Sequence, residues 1–199
     1  MTHVLIPCKP LAFGKSRLAS ALDPIGRRWL CERMLRRTLA AAVAAVGAEQ
    51  VRVVSADAHV HRVAASCGVS AIDDEADGLN GALAVARRQL LRDVTTLARL
   101  MILPIDLPYV EPEILRRAAA EAAAVMIGPD RKFDGTNLLC VDACYVASFP
   151  FRYGPASFQR HADAARALGT TPAIMVDQRI AFDLDAPDDY REWANHAAA

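Results

Sequence analysis

The chain has 199 residues, enough for one domain with one sizeable core. Of these, 53% are hydrophobic and only 6% aromatic, an ordinary globular composition. The 23 basic and 23 acidic residues cancel to a formal charge of zero, so no global field steers the protein toward nucleic acid or an anionic membrane.

The hydrophobic pattern predicts strands alternating with helices. An apolar strand runs from His3 to Cys8. Met1-Thr2-His3 leads straight into it, leaving no room for a signal peptide, and no apolar stretch reaches the length of a membrane span. A soluble cytoplasmic protein is the expectation. A polar, lysine-bearing loop follows the strand. The spacing then predicts a helix over 24–46, with Asp23 and Pro24 as start signals and Gly47 as the stop. Leu30, Met34, Leu35 and Leu39 would face inward, and Arg27, Arg28, Arg33, Arg36 and Arg37 would form a solvated outer face. Val51–Ser55 reads as a strand, the next helix turns Val60, Val63 and Ala64 inward, and Gly68–Ile72 is a short strand. Asp77-Gly78-Leu79-Asn80 opens a helix reaching about Leu91. The run Leu100–Leu103 reads as a buried strand that ends at Asp106. A helix over Glu111–Ala124, strands over Val125–Gly128 and Asn137–Val141, and a helix over Pro155–Leu168 come next. Short strands over Ala173–Asp177 and Ile180–Leu184 precede a final helix over Pro187–His196. Such alternation implies βαβ units around a mostly parallel, mixed sheet, in a single domain over 1–199. The five cysteines are odd in number and form no CxxC pair, so buried free thiols are expected rather than a disulfide framework or a zinc site. His59 and His61, two apart on a helix, diverge and are expected at the surface.

Chemistry concentrates in a few segments. Asp106 lies in Pro104-Ile105-Asp106-Leu107-Pro108, where an apolar strand delivers one acid to its carboxyl end. Ligands bind at that edge of open α/β sheets, and an acid there can hold a hard divalent cation against phosphate oxygens. A capping or turn aspartate is the plain alternative. The loop after the first strand carries three cations, Lys9, Lys15 and Arg17, together with Gly14, and can wrap a polyphosphate or simply form a polar surface loop. Only Gly14-Lys15-Ser16 matches the end of a P-loop, so it is not one. Alternation puts Asp183 and Asp185 on one face of an extended segment. Asp183 is the expected partner of Asp106 on magnesium, and Asp185 is expected to cap the helix that starts near Pro187. Gly135, Thr136 and Asn137 offer a close backbone approach and neutral donors for a small acid, or an ordinary turn. Gly154, Pro155 and Ser157, beside Arg152, form a helix start suited to an anion.

Taken in order, these segments resemble the 2-phospho-L-lactate or phosphoenolpyruvate guanylyltransferases of coenzyme F-420 biosynthesis. The matching pieces are Lys9–Leu18, Leu79-Asn80, Asp106-Leu107-Pro108, Asp130-Arg131 with Gly135-Thr136-Asn137, Tyr153-Gly154 with Ser157-Phe158 and His161, and Asp183–Asp189. The resemblance implies a Rossmann-like nucleotidyltransferase fold of glycosyltransferase-A type. It also implies GMP transfer from GTP to 2-phospho-L-lactate, phosphoenolpyruvate or 3-phosphoglycerate, by a monomer or homodimer that needs neither nucleic acid nor membrane. In that reading Asp106 and Asp183 hold Mg2+, and Lys9, Lys15 and Arg17 meet the triphosphate, Lys15 counting with the two acids as catalytic. Leu79 and Asn80, with Ser55 and Asp57 after the second strand, help recognise guanine and ribose. Thr136, Gly154 and Ser157 bind the phosphorylated acid. Ile105 and Phe133-Asp134 stand where several relatives carry glycine. A molybdopterin-type nucleotidyltransferase is disfavoured by Lys9-Pro10, where those enzymes have a Gly-rich loop. A silent nucleotide-binding module is disfavoured by the presence of both Asp106 and Asp183.

Overall fold

The computed structural model describes residues 1–74, 76 and 78–197. Its centre is one seven-stranded sheet in the order β3-β2-β1-β4-β6-β5-β7. The strands are β1 (Thr2–Pro7), β2 (Val51–Ser55), β3 (Ser70–Asp73), β4 (Arg99–Ile102), β5 (Val125–Pro129), β6 (Thr136–Asp142) and β7 (Ala173–Ile174). β6 pairs antiparallel with both β4 and β5, and all other pairings are parallel. The expected mostly parallel, mixed sheet is therefore present.

Helices cover both faces, so the central strands are buried on both sides, as parallel strands with crossover helices must be. In β1, Val4 and Ile6 face a core shared with Leu35, Leu39, Val60, Val63 and Ile114. These come from α1 (Pro24–Val46), α2 (Ala58–Ser66) and α4 (Pro112–Ala119). Leu5 faces the opposite core with Leu83, Leu90, Phe149 and Ala165. That side is built from α3 (Gly78–Asp93), the short α5 (Ala143–Val146) and its following turn, and α6 (Ser157–Ala167). A third cluster packs Leu18, Leu30 and Met34 against Phe182, Leu184 and Trp193, the last from α8 (Pro187–Ala197). It fastens the loop after β1 to the end of the chain.

α1 starts and stops where expected: the Asp23 carboxylate accepts the Gly26 N–H, Pro24 takes the first turn, and Gly47 closes the helix at φ 95°. Three expectations change. α4 stops at Ala119 rather than Ala124. The buried Arg99 guanidinium donates to Ala118 O in the last turn and to Ala123 O beyond it, satisfying carbonyls at the helix exit. β4 ends at Ile102, so Asp106 lies in the turn beyond the strand. Ile180–Leu184 is not a strand. Asp177 caps a single helical turn, α7 (Gln178–Ala181), and Phe182–Asp185 runs irregularly out of it. α7 can lie against β5 because Gly128 has no side chain: a Cβ there would come within 2.8 Å of Ile180 Cγ2. Asp77, expected to open α3, lies outside the described residues. Among the described residues no helix is long and apolar enough to cross a membrane.

Candidate active site

The sheet order makes the site. From β1 the chain winds outward to β2 and β3, then returns to β4 on β1's other side. The carboxyl ends of β1 and β4 thus flank the switch point where such sheets bind ligands. The Lys9–Leu18 loop leaves β1 there, and Asp106 follows β4. A cleft of about 630 Å³ opens there, lined by Lys9, Phe13, Lys15, Arg17, Asp106 and Asp185 and also by Asp74, Gly78, Leu79 and Ala82.

The first loop folds as two short 3-10 turns pinned at several points. The Asp57 carboxylate accepts the Leu11 N–H at 3.0 Å and the His59 N–H at 2.8 Å, tying the loop to the start of α2. Gly14 approaches α1 so closely that an added Cβ would sit 2.6 Å from Cys31 Sγ. Lys15 then adopts a left-handed backbone, φ 52°, which costs about 1 kcal/mol for a residue with a Cβ. This turns its side chain inward, where it is 9% exposed.

Lys15 Nζ bridges two acids, Asp106 Oδ2 at 2.9 Å and Asp185 Oδ1 at 2.7 Å. Arg17, at the rim, approaches Asp185 at 3.6 Å. The third acid, Asp183, sits behind them. The Leu184 N–H donates to Asp106 O at 2.9 Å, so this segment lies directly beside the Asp106 turn. The Asn137 amide donates to Ile180 O and holds the exit of α7. Burial works against the Lys15 charge, but Asp106 and Asp185 outweigh it and hold the ammonium pKa above its ordinary value. Burial first, then the charges of Asp106 and Asp185, push the Asp183 carboxyl up to about 6. The cluster therefore carries more negative charge than one lysine neutralises, and its donors are hard oxygens. Both properties fit a magnesium-like cation, which needs only one or two carboxylates besides phosphate oxygens and water. Among the described residues no group of three or more His, Cys, Asp and Glu side chains is arranged to hold a metal by itself. Cys8 and Cys31 also line the cleft, but burial pushes the Cys8 thiol up to about 12 and raises that of Cys31, so neither supplies a thiolate.

The capping role expected for Asp185 needs correcting. Asp185, expected to cap the last helix, faces the cleft with Asp106, and it is Asp189 that caps: its carboxylate accepts the N–H groups of Asp185 and Ala186. Asp183 reaches the cluster from an irregular segment, not from a neighbouring strand. Three residues expected to meet guanine and ribose are engaged inside the protein. Ser55 is fully buried, with its hydroxyl accepting the Asp57 N–H. Asp57 is spent on Leu11 and His59. The Asn80 amide clamps the Tyr153 backbone, donating to its O at 3.0 Å and accepting from its N at 2.8 Å. Leu79 does line the cleft, and so does Asp74, an acid that no motif in the sequence marks.

Thr136, Gly154 and Ser157 form a second cluster around the start of α6. Thr136 begins β6, the strand that pairs antiparallel with β4, whose exit leads to Asp106. Ser157 Oγ accepts the Thr136 N–H at 2.9 Å, and Thr136 Oγ1 lies 2.9 Å from His161 Nδ1. The helix start is less open than expected. The Asp134 carboxylate takes the Ala156 N–H, Asp134 O the Phe158 N–H, and Gly154 O the Ser157 N–H. Among the described residues, the three non-glycine residues with left-handed backbones, Lys15, Phe133 and Ala156, lie in the loops of these two clusters. Strain of this kind gathers at functional sites.

The sequence model of the family described as "Guanylyl transferase CofC like" matches residues 2–198. A phosphoenolpyruvate guanylyltransferase of Rubrobacter xylanophilus is 38% identical, over 93% of this chain and 89% of its own. One from Chloroflexus aggregans is 33% identical, over 97% and 96%. Among solved structures, a nucleotidyl transferase from a Methanothermobacter superposes with a TM-score of 0.67 at 15% identity, covering 98% of this chain and 97% of that one.

Proposed function

The chain belongs to the CofC-like guanylyl transferase family, a family of nucleotidyltransferases, and from that premise we propose that it moves GMP from GTP onto the phosphate of a small phosphorylated acid in coenzyme F-420 biosynthesis. Phosphoenolpyruvate is the acceptor we favour, because the relatives carry its name. The observation that carries the reading is the Lys15–Asp106–Asp185 cluster at the switch point, backed by Asp183.

GTP lies along the cleft. Its base and ribose lie against Asp74, Gly78 and Leu79, where a carboxylate accepts N–H or O–H donors. Its triphosphate meets Lys9, Lys15 and Arg17. Asp106, Asp183 and Asp185 would hold the magnesium ion, which supplies charge neutralisation on phosphate oxygens when bound. The acceptor rests against Thr136, Gly154 and Ser157. A phosphate oxygen of the acid attacks the α-phosphorus of GTP, the bond to the bridging oxygen breaks, and pyrophosphate departs. That oxygen is already ionised near neutral pH, so no strong general base is required, and the absence of a base–nucleophile pair among the cleft's described residues is no obstacle. Catalysis reduces to in-line placement and charge neutralisation.

The test is pyrophosphate release measured for four nucleoside triphosphates against phosphoenolpyruvate, 2-phospho-L-lactate and 3-phosphoglycerate. GTP with phosphoenolpyruvate should be the productive pair. Release without any acid, or only with a different nucleotide, would overturn the assignment.

A further inference from the structure

His161 is fully buried under the acceptor cluster and touches neither the cleft nor the acids. Its two ring nitrogens have different partners. Nε2 lies 2.9 Å from the Arg152 amide, which can only donate, so Nε2 must be the bare nitrogen. Nδ1 lies 2.9 Å from Thr136 Oγ1. A neutral imidazole with a bare Nε2 carries its proton on Nδ1, and Nδ1–H therefore donates to the threonine oxygen. Neutrality is enforced by the surroundings: burial first, then Arg160 and Arg152, pulls the ring pKa down to about 4. No acidic group opposes them among those that shift it. The ring is also held edge-on by Tyr153 at 4.8 Å between centroids and packed against Phe149 at 6.0 Å.

The consequence falls on Thr136. A hydroxyl has one proton to give. With its oxygen accepting from His161, Thr136 must send that proton elsewhere, and among the described residues it has no acceptor. Ser157 is in the same condition, because its oxygen accepts the Thr136 N–H. The geometry points to His161 as a positioning residue that keeps the Thr136 hydroxyl proton directed away from the imidazole, as a donor for the acceptor's anionic oxygens. The arrangement runs as a relay of fixed polarity: Arg152 N–H to His161, His161 to Thr136, Thr136 to the bound acid. Had Nε2 carried the proton, Thr136 would donate to the imidazole and present a lone pair to an anion, which repels it. The inference rests on the acceptor role proposed for Thr136 and adds what sets its polarity.

Two substitutions separate the ring's two nitrogens. In His161→Asn the amide can keep a donor near the Nδ1 position, while in His161→Gln it reaches the Nε2 position and leaves Thr136 without its donor. Steady-state kinetics of the full chain should show His161→Gln raising KM for the acid about tenfold, with KM for GTP within about twofold, in line with one hydrogen bond to an anion. His161→Asn should stay within about threefold of the parent. Thr136→Val should resemble His161→Gln, and the double variant should be no worse than Thr136→Val alone. Equal effects of Asn and Gln, a matching rise in KM for GTP, or additive losses in the double variant would sink the inference. A second readout needs no variant: ring nitrogen shifts of His161 in the unmodified protein should show Nδ1–H at pH 7, and an Nε2–H or protonated ring would overturn it. Failure of every acid to support pyrophosphate release would remove the proposed reaction instead, while the tautomer measurement still decides the polarity of Thr136.

Discussion

The two halves of the site solve the problem of binding anions in opposite ways. Around Asp106 the polar groups are charged, partly exposed, and paired with one another: Lys15 already sits between Asp106 and Asp185. In the acid half Thr136, Ser157 and His161 are neutral, buried, and locked by hydrogen bonds that leave two hydroxyl protons over. An ion pair in place before the ligand arrives has to be rearranged for phosphate, whereas oriented hydroxyls need no rearrangement. The nucleotide half is thus built to exchange partners and the acid half to be ready, which is the difference between charge that must be handed over and preorganised donors.

The comparison breaks most sharply at Asp106. Asp106→Asn keeps the shape of the turn and removes the charge. Turnover should fall by about a thousandfold or more, the scale of losing a preorganised charge interaction at the reacting phosphates. The melting temperature should change little, because Asn still accepts from Lys15. Near-parental pyrophosphate release would contradict the assigned role.

Lys15 sharpens it. Lys15→Met should slow turnover by about a hundredfold, since a cation facing the triphosphate is lost. The less obvious outcome concerns Mn2+ as a magnesium substitute. With the ammonium gone, Asp106 and Asp185 are free for a divalent ion, so Mn2+ binding without nucleotide, followed by electron paramagnetic resonance, should tighten in the variant while activity falls. Weaker Mn2+ binding would mean that the lysine shapes the acid cluster rather than occupying it.

The same contrast appears in acid. His161 keeps its ring neutral down to about pH 4, while in the unfolded chain it takes up a proton near 6.5. The unfolded state therefore binds more protons between these values. Stability from this group is complete above about pH 6.5, declines as pH falls, and levels off below about 4, a loss of about 3 kcal/mol. Asp183, raised to about 6, titrates in the opposite sense and stabilises the folded state on acidification. Urea unfolding of the parent should therefore be compared with His161→Gln, in which the Asp183 contribution cancels. The difference in unfolding free energy between the two should shrink as pH drops from 6.5 to 4. A constant difference would mean that the imidazole titrates normally.

What was legible in the chain and what was not follows the range of the forces. α1 could be read to its end residues because Asp23, Pro24 and Gly47 act on their own backbone neighbours. The apolar runs of β1 and β4 likewise announce buried strands, and with them the edge where Lys15 and Asp106 meet. Asp183 and Asp185 were recognisable as acids, but not their placement. α7 depends on Gly128 of another strand leaving room for Ile180, and the cap supplied by Asp189 frees Asp185 for the cleft. His161 stood out only as part of a motif, because its partners, Thr136 and Arg152, come from different loops. Pairings of that kind leave no periodicity to detect.

Asn80 offers the finest division between the halves. Its position at the start of α3, beside the cleft residue Leu79, suggests contact with the nucleotide. Its hydrogen bonds run instead to Tyr153, 73 residues away, where both polar atoms of the amide are spent on one residue's N–H and C=O. That clamp holds the strand of chain leading into Gly154 and α6. Asn80→Ala removes two exposed hydrogen bonds, about 1 kcal/mol or slightly more. The loss should appear as a roughly fivefold rise in KM for the phosphorylated acid, with KM for GTP unmoved. A base-reading or ribose-reading asparagine would give the reverse, a rise confined to GTP. The sign of that split decides whether α3 contributes to both halves of the site or whether its first turn, although it borders the nucleotide cleft, does its work for the acceptor.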